Sequence, residues 1–377
     1  MTLSAAVVKP LDHWHAACDR VVGNETFRRW AEAFPPTRWI ARRRARAVFD
    51  LCAGFVYSQV LLACVRLSLL DILAERPQAV AVLARRISLT EEATGRLLAA
   101  AVALRLAEVR GDQRYGLGVL GRAIAGNAAL AAMIEHHAAL YADLQDPVAL
   151  LQGRQAATAL AAYWPYAGAA QPATLTAGST AAYSTLMSTS QSLIADQVLA
   201  AHDFSRHRCL LDVGGGEGAF LTAVAARCPE PRLMLFDLPA VAENARARFA
   251  AAGLSARATA HAGDFLADPL PAGADAISLV RVLHDHDDPD ALRILRAAHA
   301  ALPEGGTLVV AEPMAGTRGA EAMGDAYFGF YLLAMGSGRA RAPSRIAQML
   351  ASAGFIGARS VPTRIPLQTG LVVARKP

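Results

Sequence analysis

Four glycines crowd a short stretch between two apolar segments, LLDVGGGEGAF over residues 210–220, and this feature restricts the fold of the chain more than any other. Val213 reads as the end of a strand, Ala219 as the start of a helix, and Gly214, Gly215, Gly216 and Gly218 as the turn between them. Such a turn uses positive φ and brings backbone close to a ligand, so it favours residues without a Cβ. In open parallel sheets the first strand-to-helix turn is where ligands bind. Around it, RCLLDVG, PRLMLFDLP, ADAISLVRVL and GTLVVAEP are short apolar runs separated by helical sequence or turns. Buried parallel strands with crossover helices have that pattern. An α/β, Rossmann-like doubly wound sheet is therefore predicted from about residue 205 to the C-terminus.

Ahead of it, from about residue 45 to 200, Ala and Leu dominate and apolar positions recur at three- and four-residue spacing, so this half is helical. QAVAVLARRIS, TEEATGRLLAAAVALRL and AEVRGDQRYGLG read as helix, helix and a hairpin turned at Gly111 and Asp112, the layout of a winged helix. Ser88 and Thr90 are candidate caps for the second helix, with Glu91 three residues after Ser88. The stretch TEEATGRLLAAAVAL of that helix carries two glutamates and one arginine, so the fold is present without the chemistry of DNA readout. Residues 152–179, rich in Ala, Gly, Thr and Pro around Tyr163, Trp164 and Tyr166, read as a connector. The chain thus divides into a helical, winged-helix-like domain over residues 1–180 and a Rossmann-like catalytic domain over residues 181–377.

With 377 residues, 54% hydrophobic and 18% charged, the chain can fill two cores and is not disordered. Lys9, Asp12 and His13 break the layout of a secretory signal, so a cytoplasmic protein is expected. Cys18, Cys52, Cys64, Cys209 and Cys228 lack zinc or dithiol spacing and read as reduced residues. The longest apolar run, residues 54–73, contains Gln59, Arg66 and Asp71, and is expected as a buried interface helix rather than a membrane span. The net charge of +5 does not demand nucleic acid. In TRWIARRRARAVF, Arg38, Arg42, Arg43, Arg44 and Arg46 surround Trp39 and Ile40. Two readings stand: a solvated helix face, or a surface resting on anionic lipid.

The glycine turn alone does not separate dinucleotide from other adenosine ligands. Asp212 before the first glycine gives acidic-x-Gly-x-Gly-x-Gly through Gly214, Gly216 and Gly218. Asp237, ending the second strand, suits both ribose hydroxyls, although it suits NAD as well. In HAGDFL, Asp264 can accept from an adenine amino group and Phe265 can stack on the ring. A site with acids at both ends of adenosine and no need to trap phosphate points to S-adenosyl-L-methionine as cofactor. Leu238 and Arg281 complete the candidate cofactor set.

SLVRVLHDHDDPDALRIL releases His284, Asp285, His286, Asp287 and Asp288 at the carboxyl edge of the sheet. Methyl transfer to oxygen needs a nucleophile freed of its proton and held in line, and histidine is the usual base. His284, nearest the strand, is the candidate, with Glu312 of VVAEP placed to fix its tautomer. A metal site and an acid-rich helix start capped by Asp287 or Asp288 remain alternatives.

The succession DVGGG, FDLP, GDF, LHDHDD, AEP and a late AGF resembles the class I O-methyltransferases of the plant caffeate and bacterial polyketide type. More narrowly, FDLCAGFVYSQVLL, LYADLQDPVALL, YWPY, LVRVLHDHDDPD and FGFYLLAMGSGRARAPSRIAQML look like the carotenoid 1-hydroxy O-methyltransferases of purple bacteria. The resemblance implies a homodimer joined by the winged-helix domain, His284 as base, Glu312 as one of two flanking acids, Asp237 on ribose and Asp264 with Phe265 on adenine. It implies an acceptor pocket lined by Tyr183, Met187 and Ser190 of a linker helix and by Tyr327, Phe328, Tyr331 and Met335. The second flanking acid should lie near Pro343, Ser344 and Arg345, and the family's plant members carry lysine where Val280 stands; this chain departs at both places. The implied substrate is a small hydrophobic molecule, a hydroxylated acyclic carotenoid, which the arginine stretch would help collect from a membrane. Rival readings are methylation of a bacteriochlorophyll precursor or another aromatic or polyketide acceptor, a winged-helix ligand-sensing regulator, and an NAD oxidoreductase.

Overall fold

The computed structural model describes residues 5–155, 157–163, 191, 194–367 and 369–377. The chain divides into two compact units at Gly126 and Asn127.

In the first unit the helices Val80–Arg86 and Glu91–Ala103 precede an antiparallel hairpin of β1 (Ala107–Arg110) and β2 (Arg114–Leu117), in the order read from the sequence. Thr90 is the cap, its hydroxyl accepting from the Ala93 N–H at 3.1 Å. Ser88 instead turns the chain at φ 57°. Cys64, Leu69, Leu83, Leu98 and Leu106 close the core beneath. The apolar run over residues 54–73 is not one buried helix. Its first part continues the helix Pro35–Arg66, which also carries the arginines; Ser68 then enters the left-handed region at φ 51° and the helix Leu69–Glu75 begins. Within the long helix only Leu62 and Cys64 are buried, because only its end meets this core, whereas Leu51 is 85% and Phe55 72% exposed. By length and composition this helix could cross a membrane.

The boundary expected near residue 180 falls at 126. The helices Ala128–Asp143 and Ala159–Tyr163 pack with Phe328–Met335 around Leu140, Leu160, Tyr331 and Met335, so their apolar faces are covered in the second unit. Part of the expected connector is therefore packed helix, while Trp164 and Tyr166 lie outside the described residues.

The second unit is built on β3 (Cys209–Val213), β4 (Arg232–Asp237), β5 (Ala258–Ala262), β6 (Ala276–Val280), β7 (Thr307–Glu312), β8 (Ile356–Val361) and β9 (Gly370–Arg375). Their order across the sheet is β5-β4-β3-β6-β7-β9-β8. The first five are parallel, and β9 enters antiparallel between β7 and β8. Cys209, Leu211 and Val213 face one core layer with Ile277, Leu279, Leu308 and Val310. Leu210, Val280, Val309 and Ala311 face the other with Phe204, Phe220 and Phe249. Burial on both faces explains why these strands read as unbroken apolar runs. The order reverses between β3 and β6, and the crevice at their carboxyl ends is the switch point where such sheets bind ligands.

Candidate active site

β3 delivers the glycine turn to this crevice, and three of its four glycines have no room for a side chain. A Cβ on Gly214 would stand 2.8 Å from Val282, one on Gly215 2.6 Å from Asp212, and one on Gly218, at φ 80°, 2.6 Å from the Phe249 ring. At Gly216 the space is open. Asp212 lies buried beneath the turn: Oδ1 accepts from the Ser278 hydroxyl at 2.6 Å, a bond set by their direct pairing across β3 and β6. Among the described residues its Oδ2 has no hydrogen-bond partner. Burial pushes its carboxyl up to about 7.

Asp237, at the end of β4, reaches across the turn. Its Oδ2 accepts from the Gly216 N–H and its Oδ1 from the Leu238 N–H, both at 2.8 Å. Burial pushes it up to about 6, against the pull of these two donors. Leu238 leads directly into the helix Pro239–Ala251. After β5, Asp264 caps the following turn, with Oδ1 accepting from the Leu266 N–H at 2.8 Å. Phe265 comes within reach of Gly214 on one side and meets the His286 ring edge-on at 5.4 Å on the other. One rim of the crevice thus joins the glycine turn to Asp237, and Phe265 to the turn.

The loop after β6 forms the other rim. Glu312 ends β7 and is buried; its Oε1 accepts from the N–H groups of Val282 at 3.0 Å and Leu283 at 2.7 Å. The remaining oxygen, Oε2, lies 2.6 Å from His284 Nδ1. A carboxylate there fixes the ring proton on Nδ1 and leaves the Nε2 lone pair to act. Nε2 faces Asp285 Oδ1 at 3.1 Å, and that buried oxygen has no hydrogen-bond partner among the described residues. Burial draws the His284 pKa down, but Asp285 and then Glu312 overcome it and hold the imidazole above its ordinary value, against a smaller downward push from Arg281. Burial also raises Asp285. Arg281 stands at φ 58° with its N–H on the Ala311 carbonyl, and its charge is felt by His284, Asp285 and Tyr327.

Where the resemblance locates a second flanking acid, Pro343 opens the helix Pro343–Ser352 and Arg345 pairs with Asp288 at 2.7 Å. Asp285 is the second carboxylate at the base. The other members of HDHDD diverge: His286 turns to Phe265, and Asp287 and Asp288 to arginines 339, 341 and 345.

Phe328 meets His284 edge-on at 5.9 Å, and Tyr327 packs on Phe328 at 5.0 Å. Tyr331 and Met335 are buried in the same cluster, while Tyr183, Met187 and Ser190 lie outside the described residues. His136 and His137 were not singled out from the sequence. Their Nε2 atoms lie 2.6 Å from the hydroxyls of Tyr331 and Tyr327 respectively. Burial holds both imidazoles below their ordinary range, His136 at about 4. The signal was a pair of histidines in the apolar helix AALAAMIEHHAALYAD, which composition alone does not distinguish from core.

Comparison with known proteins gives consistent matches. Residues 141–356 match the family model of an O-methyltransferase domain, and residues 49–126 that of an O-methyltransferase dimerisation domain. The chain is 45% identical to the demethylspheroidene O-methyltransferase of Cereibacter sphaeroides, over 95% of this chain and 94% of that protein. It is 42% identical to the protein of the same name from Rhodobacter capsulatus, over 92% of this chain and 86% of that one. Among solved structures, human N-acetylserotonin methyltransferase in complex with SAM is similar at TM-score 0.72 and 26% identity, covering 88% of this chain and 97% of that one.

Proposed function

The chain belongs to the O-methyltransferase family, and from that premise we propose that it transfers a methyl group from S-adenosylmethionine to the 1-hydroxyl of an acyclic carotenoid of the demethylspheroidene or hydroxyneurosporene type. The observation that carries the reaction is the buried His284, with Nδ1 held by Glu312 at 2.6 Å and Nε2 left to take a proton. The acceptor is supported by near-full-length identity to the two demethylspheroidene enzymes and by the aromatic, apolar wall from Tyr327 to Met335.

The crevice fits the cofactor. Its turn admits no Cβ at three glycines, Asp212 keeps a buried oxygen unpartnered among the described residues, and Asp237 stands beside the turn. When bound, S-adenosylmethionine supplies a methyl group on a positively charged sulfur, ready for in-line displacement. Asp237 would hold the ribose hydroxyls, Asp264 and Phe265 the adenine, and the turn would give the ligand backbone without side chains. His284 Nε2 takes the acceptor's hydroxyl proton, while Glu312 and Asp285 stabilise the imidazolium that results. A carbinol is a weaker acid than a phenol, and a histidine made more basic by two carboxylates suits it.

The protein acts as a homodimer through its dimerisation domain. We further propose that it is cytoplasmic and rests on the inner or intracytoplasmic membrane through the exposed Arg42, Arg43 and Arg44, collecting substrate there. Purified enzyme given labelled S-adenosylmethionine and either a 1-hydroxylated acyclic carotenoid or a bacteriochlorophyll precursor is expected to label the carotenoid. Turnover of the tetrapyrrole alone would overturn the acceptor.

A further inference from the structure

Four consecutive carbonyls of the loop that carries the base accept hydrogen bonds from one short segment, residues 337–341. Arg341 Nη1 donates to Leu283 O at 2.6 Å, the Arg339 N–H to His284 O at 2.8 Å, Ser337 Oγ to Asp285 O at 3.0 Å, and Arg341 Nη2 to His286 O at 2.7 Å. Arg341 is 4% exposed, and its Nε completes the set on Asp288 at 2.9 Å. Between these donors, a Cβ on Gly338 would stand 2.1 Å from His284 O, so the segment lies flush on the loop.

We propose that residues 337–341 form a strap that sets the position of the base, with Arg341 as a positioning residue for His284 in methyl transfer. One planar guanidinium binds the carbonyls on both sides of the His284–Asp285 pair and anchors to Asp288 at the start of the next helix. A lysine, with a single compact charge, cannot reproduce that fork. The strap also follows directly on the helix Phe328–Met335, whose Phe328 touches the His284 ring. Chain continuity therefore ties the acceptor-side wall to the backbone of the base. Orientation matters because a displacement of about 1 Å at a reacting group costs on the order of 10²-fold in rate.

The inference rests on His284 being the base, so the test uses a cycle of Arg341→Lys, His284→Gln and the double variant. Methylation of a 1-hydroxylated acyclic carotenoid is measured against pH, and calorimetric titration with S-adenosylhomocysteine gives the folded, binding-competent fraction. Arg341→Lys is expected to lower kcat about 10–100-fold, to leave the acceptor KM and S-adenosylhomocysteine affinity within about threefold, and to move the ascending limb of the pH profile. In the His284→Gln background it adds less than about twofold. Ser337→Ala, which removes one bond, gives a smaller loss in the same direction. Wild-type kcat in Arg341→Lys overturns the strap. So does a loss that multiplies with His284→Gln, or one that follows the competent fraction with an unmoved pH limb. Near-wild-type turnover by His284→Gln instead sinks the base itself.

Discussion

His284 sits between two carboxylates from different origins, Glu312 from the end of β7 and Asp285 from its own loop. Their combined charge raises its pKa despite burial, and the sign of the consequences follows. The imidazolium's contribution to stability is fully present below the ordinary histidine value of about 6.5 and is lost as pH climbs through the higher native value. Activity runs the opposite way, since the base must be neutral: kcat/KM is expected to rise with pH along a limb above about 6.5. Glu312→Gln removes one upward push and the tautomer lock together. It should move that limb to lower pH and lower kcat by about 10²–10⁴-fold, as measured in pH–rate profiles; an unmoved limb would detach Glu312 from the base. His284, Glu312 and Asp237 were legible in the sequence because each ends or follows an apolar strand run. Asp285 as the second acid was not, because only the backbone path of residues 283–285 turns a sequence neighbour back onto Nε2.

At the scale of elements, the glycine turn is fixed by what surrounds it. Gly218 combines φ 80° with the Phe249 ring, which arrives from the helix Pro239–Ala251. Gly218→Ala meets both a left-handed backbone and an occupied space, so a destabilisation of about 2–4 kcal/mol is expected. Chemical denaturation would measure it, with a parallel loss of S-adenosylhomocysteine binding; wild-type values for both would show that the turn tolerates a side chain. The parallel strands β3, β4, β6 and β7 were readable from their length and double-sided burial. β9 was not identified from GLVVAR, although it is equally apolar. Its antiparallel place between β7 and β8 depends on partners, and a short apolar run carries no mark of strand direction.

For the whole molecule, the long helix Pro35–Arg66 joins an arginine-rich start to an apolar remainder, with Trp39 62% and Phe49 63% exposed. Such a surface favours anionic bilayers, by about 1 kcal/mol for each cation near the headgroups. The dimer with Arg42, Arg43 and Arg44 changed to Gln should float with anionic vesicles roughly tenfold or more less well than the wild type, while remaining a dimer by light scattering. Equal flotation would remove the arginines from any membrane role. The sequence by itself determined the two kinds of architecture, the winged-helix order and the crevice at the end of β3, because periodicity, caps and glycine turns are local properties. It also determined the reaction class through residues whose chemistry and spacing are local. The tertiary structure decided that the helices after residue 126 belong with the catalytic unit, since an apolar helix face does not declare which core will cover it. It decided too that the glycine turn first noticed as a place for a ligand is closed from below by Asp212 and Phe249, and that His284 is held by Glu312 and by a strap, both distant in sequence, as well as by its neighbour Asp285. Contacts between residues so far apart exist only once the chain has folded.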